Sequence, residues 1–132
     1  MLPHLPTESI QHLLKIIEDV REHFPSIIIG LNRGFQIIPY VHEEINFVLY
    51  EDFGTYYDFS ESSYEYLNTS RLSNLKSKVD YLKSPGLKVL GIGYLPEPHD
   101  QMYYYDLNLG AKLQTPLYLS DLMLSSTWPE WG

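Results

Sequence analysis

Near the start of the chain Ile10, Leu13, Leu14, Ile16, Ile17, Val20 and Phe24 recur at spacings of three and four, the apolar stripe of an amphipathic helix. Thr7, after Pro6, supplies an N-cap hydroxyl and Pro25 stops the pattern, which places the helix over residues 8–24. The period then changes. Residues 27–31 and 35–41 are short β-branched or aromatic runs separated by Asn32-Arg33-Gly34, the turn chemistry of a hairpin loop. Pro39 has no N–H to give to a ladder, so the second run reads as an edge or bulged strand. Ile45, Phe47 and Leu49 then alternate with Asn46, Val48 and Tyr50, as in a strand with one buried face.

Beyond Gly54, residues 55–59 continue the sheet and residues 60–68 read as a loop or irregular helix. Leu72, Leu75, Val79 and Leu82 predict a second helix over residues 70–82, capped by Thr69 or Ser70 and closed by Pro85-Gly86. Residues 87–95 and 102–107 flank Pro96-Glu97-Pro98-His99-Asp100-Gln101 and read as an antiparallel pair. Asn108-Leu109-Gly110 makes a further turn, residues 116–119 a short strand, and residues 121–124 one helical turn capped by Ser120. Trp128 and Trp131 are expected to dock on the body. Helices and strands without regular alternation predict one α+β domain over residues 1–132, a mostly antiparallel sheet with two main helices packed on one face.

Composition narrows the classes of function. The 132 residues are enough for one proper core, and the absence of cysteine removes disulfides, thiolate metal sites and cysteine nucleophiles together. No run approaches the roughly 18–20 apolar residues of a spanning helix, and the first fourteen residues lack a signal-peptide pattern, so no membrane contact and a cytoplasmic location are expected. Seventeen acids against nine bases give a net charge of −8, which disfavours direct contact with nucleic acid and favours a basic protein partner.

That charge is concentrated. Between Gly34 and Ser70 there is no lysine or arginine, while Glu43, Glu44, Glu51, Asp52, Asp58, Glu61 and Glu65 all fall there, interleaved with Tyr56, Tyr57 and Tyr64. Tyrosine offers large contact area at low entropy cost and carboxylates steer a cationic partner. These ten residues are therefore the candidate partner-binding surface. Adjacent Tyr56 and Tyr57 would face opposite sides of a strand, so at most one packs inward.

The search for catalysis is mostly negative. Gly91-Ile92-Gly93 lacks the third glycine of a dinucleotide fingerprint and reads as a small-residue pair in a packed strand; no phosphate-binding loop or nucleophile elbow is present. His12 and His23 are too far apart on one helix to share a metal, and His4, His42 and His99 are isolated, so neither metal nor cofactor is expected. Glu43/Glu44 and Glu51/Asp52 are sequential pairs whose side chains diverge, and the expectation is a binding protein, monomer or weak homodimer, rather than an enzyme. Two other readings remain open: a DNA-mimicking anti-defence protein, and a small hydrolase assembled from dispersed carboxylates.

Small, acidic, cysteine-free α+β chains with interleaved tyrosines resemble bacterial toxin-immunity proteins. The order of an N-terminal helix, a central sheet and the late stretches 87–94, 102–106 and 115–121 is similar to the SUKH superfamily, with Pro116-Leu117-Tyr118-Leu119-Ser120-Asp121 matching its late strand. The family's Leu-Pro-x-x-Tyr helix and Asn-Gly-Gly turn are absent, and Asn32-Arg33-Gly34 is a partial echo. The resemblance implies an inhibitor that occludes a basic effector toxin, such as a nuclease.

Overall fold

The computed structural model describes residues 7–125 and Trp128. Ten elements follow in order: α1 (Glu8–His23), β1 (Gly30–Asn32), α2 (Ile38–Val41), β2 (Phe47–Tyr50), β3 (Thr55–Asp58), β4 (Ser63–Tyr66), α3 (Thr69–Lys83), β5 (Lys88–Tyr94), α4 (Gln101–Lys112) and β6 (Leu117–Ser120). The main sheet runs β1-β2-β5-β6 and every pairing in it is parallel. The antiparallel pairing is confined to the β3–β4 hairpin. The chain is therefore α/β, and the expected antiparallel α+β sheet is wrong. Each link between main-sheet strands contains a helix that carries the chain back along the sheet, so successive strands enter it pointing the same way.

Two misread segments account for the error. Residues 102–107 are not a strand but the first half of α4, because Asp100 caps a helix there: its side chain accepts from Tyr103 N at 2.8 Å. The buried positions Tyr103, Asp106, Leu109 and Gly110 keep a helical period. Gly110 is a packing residue inside that helix rather than a turn, since a Cβ there would lie 2.8 Å from Leu117 Cγ. Likewise the hairpin expected at Asn32-Arg33-Gly34 does not form. Gly34 at φ 65° leads into the single helical turn α2, in which Pro39 sits at the start where a missing N–H costs nothing.

Other expectations hold in part. Helix α1 has its Thr7 cap, with Oγ1 accepting from Ile10 N at 3.4 Å. Helix α3 lies where the leucine stripe placed it, capped by Asn68 instead of Thr69 or Ser70. Residues 63–66 form strand β4 where a loop or irregular helix was expected, and residues 121–124 form a turn, not a helical one, closed by Leu124 N donating to Asp121 O at 3.0 Å. Trp128 packs on the cluster of Leu95, Tyr103 and Leu119, and its backbone N–H donates to Leu119 O at 3.1 Å. His4 and Trp131 lie outside the described residues.

All the packing of helices falls on one face of the sheet. Val48 and Val89 of the sheet meet Leu75, Val79 and Leu82 of α3 and Ile17 of α1 in the main core. Gly91 and Gly93 share that face, and both need their small size: a Cβ at Gly91 would lie 2.5 Å from Leu117 and 2.7 Å from the Phe53 ring, and one at Gly93 would lie 2.3 Å from Asp106 Oδ2. The reading of this pair as packed-strand glycines thus holds. We expect Gly93→Ala to lower stability by about 2–3 kcal/mol through overpacking, measured by urea unfolding; a loss under about 0.5 kcal/mol would show that the Asp106 contact is loose.

Among the described residues no helix lies on the opposite face. By strand alternation it carries Phe47, Leu49, Leu90, Ile92 and Tyr118, of which Leu90 and Tyr118 are 37% and 53% exposed. A groove of about 250 Å³ runs between Leu49, Leu90, Ile92, Pro116 and Tyr118. No helix among the described residues is long and apolar enough to cross a membrane.

Candidate functional site

In open parallel sheets and in barrels, ligands bind outside the carboxyl ends of the strands, where loops meet exposed backbone. Here that end is made by Asn32-Arg33 after β1, Glu51-Asp52 after β2, the end of β5 at Tyr94 and the end of β6 at Ser120. The chain does not leave β2 smoothly. Asp52 sits at φ 57°, a left-handed conformation, after which Phe53 N donates to Ile92 O at 2.8 Å and the strand rejoins β5. This local kink separates the two neighbouring acids and turns them to different partners.

Glu51 turns along the helix-free side. Its Oε1 accepts from Tyr94 Oη at 2.6 Å, a bond that joins the carboxyl ends of β2 and β5. Burial, and then the bond to Glu51, raise the Tyr94 pKa well above the phenol range, so this hydroxyl stays protonated and remains the donor. Glu51 itself is half-buried, and Arg33 Nη2 donates to its backbone oxygen at 3.0 Å. Asp52 turns the other way, with Oδ2 3.7 Å from Arg33 Nη2. Burial raises its pKa against the opposing pull of Arg33 and Arg71.

The β3–β4 hairpin stands beside this rim. Tyr57 packs edge-on against both Phe59 and Tyr64, with centroids 5.1 and 5.0 Å away. Phe59 is 74% exposed. Tyr56 packs on the main core and under the Arg71 guanidinium, whose Cζ is 4.2 Å from the ring centroid. The two tyrosines thus face opposite sides, as strand geometry required. Tyr64 Oη accepts from Leu122 N at 3.0 Å and ties the hairpin to the segment after β6.

The sequence-predicted acidic surface is not one surface. Glu43 and Glu44 precede β2 and lie at the amino end of the sheet, where Arg21 Nε donates to Glu44 O at 2.9 Å. Glu51 and Asp52 lie at the carboxyl end. Asp58 and Glu61 fall on the hairpin turn, where the Ser60 hydroxyl holds the Asp58 carboxyl below the usual range. Glu65 accepts from Ser63 Oγ at 2.6 Å. Arg33 and Tyr94 were missed, because neither belongs to an acidic run; the signal that could have found them is position immediately at the end of a parallel strand. Among the described residues no three histidine, aspartate or glutamate side chains converge as metal ligands.

One buried carboxyl stands apart from the rim. Asp106 of α4 is fully buried between Gly54 and Gly93; Thr55 Oγ1 donates to its Oδ2, while Oδ1 has no partner. Burial pushes its pKa up to about 8, against the lowering effect of the Thr55 bond.

No protein-family model matches the chain, and no curated protein matches it in sequence. Solved structures do match in fold. The chain is similar to the glycoside hydrolase domain of PelA from Pseudomonas aeruginosa, with a TM-score of 0.72 and 21% identity over 89% of this chain and 46% of that one. A point variant of the same domain gives 0.69 and 20% over the same shares. The chain thus spans about half the length of the domains it matches. This likeness, with the parallel sheet, overturns the SUKH resemblance and with it the reading as an immunity protein occluding a toxin. At 21% identity the likeness is one of fold, an α/β arrangement around a parallel sheet.

Proposed function

We propose that this chain forms part of a hydrolase-type domain acting on carbohydrate, with Glu51 as the carboxyl that exchanges a proton with the glycosidic oxygen. The observation that carries this is the Glu51–Tyr94 pair: a half-buried carboxyl at the carboxyl end of a parallel strand, on the face without helices, oriented by a 2.6 Å hydrogen bond from the next strand. Glycosidic cleavage depends on a carboxyl fixed against the leaving oxygen, and a phenol donating to one of its oxygens fixes the other toward ligand. The likeness in fold to a glycoside hydrolase domain supports the same reading. Exposed Phe59, with Tyr57 behind it, gives an apolar platform on which a sugar ring can stack. Of the readings open from sequence, the dispersed-carboxylate hydrolase is the one these features favour.

The test is release of reducing ends from a panel of neutral, amino and acidic oligosaccharides. Cleavage of one class is expected; a panel left intact and unbound would end this reading. Tyr94→Phe is expected to keep the fold and lower the rate about tenfold, since the Glu51 carboxyl loses the hydrogen bond that orients it. An unchanged rate would remove Tyr94 from the site.

A further inference from the structure

Beside the Glu51 rim a cleft of about 100 Å³ opens between the end of β1, the kink after β2 and α3. Its polar walls are Arg33, Asp52, Arg71, Asn74 and Lys78. Three cations thus face one carboxylate in a chain whose net charge is −8. The way these cations are held is informative. The Arg71 guanidinium lies 4.2 Å from the centre of the Tyr56 ring, Lys78 Nζ 4.2 Å from that of Phe35, and Arg33 Cζ 5.5 Å from that of Tyr50. An aromatic face positions a cation without cancelling its charge. Among the described residues the ion pairs are Lys15–Asp19 and Arg33–Asp52, so Arg71 and Lys78 are held by rings and paired with no carboxylate, although the Arg71 charge reaches Asp52 and Asp58.

We propose that this cleft is an oxyanion site: it takes a carboxylate, sulfate or phosphate group, with Arg71 and Lys78 as the binding cations, Asn74 as an added amide donor and Asp52 as the acid that competes with the ligand for Arg33. The volume suits one such group and not a whole sugar. Guanidinium and ammonium donors give the charge-assisted bonds that oxyanions accept. Because the walls are part of the same rim as Glu51, the group is either an acidic substituent on the carbohydrate of the proposed function or a free inorganic anion. The first source rests on that function; the site itself does not.

The experiment is titration of the full chain with inorganic phosphate at low ionic strength, about 20 mM, where screening of exposed charges is weak. Binding is followed by amide shifts in NMR spectra. Saturable shifts at Arg71, Asn74 and Lys78 are expected. The double variant Arg71→Met, Lys78→Met should weaken binding at least tenfold, and Asp52→Asn should strengthen it several-fold. A gain in the second variant cannot come from misfolding, and circular dichroism of the first checks that its loss does not. No saturable shift at these residues, or an Asp52→Asn chain that binds phosphate no better, overturns the proposal whatever the chain does to oligosaccharides. A second arm compares an acidic oligosaccharide with its neutral counterpart: preference for the acidic one that the double variant abolishes assigns the anion to the sugar, and equal binding assigns the site to a free anion.

Discussion

Replacing Glu51 by glutamine is expected to lower the rate of glycosidic cleavage by about three orders of magnitude while leaving the melting temperature within a few degrees of the parent. Positioned proton transfer contributes roughly 10²–10⁴-fold in rate, and the amide cannot exchange the proton. The fold should tolerate the change, because Glu51 is half-buried at the rim and Tyr94 Oη can donate to the amide oxygen as it does to Oε1. Substrate affinity should fall much less than turnover, since the amide keeps the shape of the carboxyl. Kinetics under saturating substrate separate the two; a variant that cleaves at more than about a tenth of the parent rate would take the reacting carboxyl away from Glu51.

Asp106→Asn should make the protein more stable above pH 8 and less stable, by about 1–3 kcal/mol, below pH 4. The sign follows from proton binding. Unfolded, the Asp106 carboxyl releases its proton near pH 4; folded, burial holds the proton until about pH 8. Between these values the folded state binds more protons than the unfolded one, so stability falls as pH rises through the window and the whole cost is present above it. A displacement of that size corresponds to about 6 kcal/mol at most. The asparagine amide removes the charge but leaves a buried N–H without a partner, which costs about 1–3 kcal/mol. The balance is a gain of about 3 kcal/mol at pH 9, read from urea unfolding of both proteins at pH 4, 6 and 9. Parallel curves at all three values would mean that Asp106 ionises without hindrance in the folded protein.

How much of this was legible in the sequence differs by element. Helices α1 and α3 carry regular apolar stripes with side-chain caps nearby, and local chemistry suffices for them. Helix α4 was hidden by Tyr103-Tyr104-Tyr105, whose β propensity outweighed the Asp100 cap; packing of Tyr103 and Leu109 against the body decides the contest. Once α4 is read as a strand, the return crossover disappears and residues 102–107 take the place of parallel β6 as an antiparallel partner of β5. The site was half legible. Glu51 and Asp52 stood out as acids, yet they were pooled with Glu43 and Glu44, which β2 carries to the other end of the sheet. Arg33 and Tyr94 could not be found by composition, because what brings them to the rim is the parallel register Asn32↔Leu49 and Tyr50↔Gly91. Arg71 and Lys78 lie in a basic stretch, residues 71–88, with five bases against Asp80, but their arrangement around one cleft depends on which rings they meet.

In the proposed function, ligand binds at the carboxyl end of the sheet around Glu51 and Tyr94. The most direct measurement is amide-shift mapping of the Glu51→Gln chain with an oligosaccharide that the parent protein cleaves, so that the ligand stays intact during the titration. Saturable shifts are expected at Arg33, positions 51–53, Tyr94 and Ser120, with the Phe59 turn moving in step. Shifts confined to the amino end of the sheet around Glu43 and Glu44, or to the outer sides of α1 and α3, would contradict the proposed function.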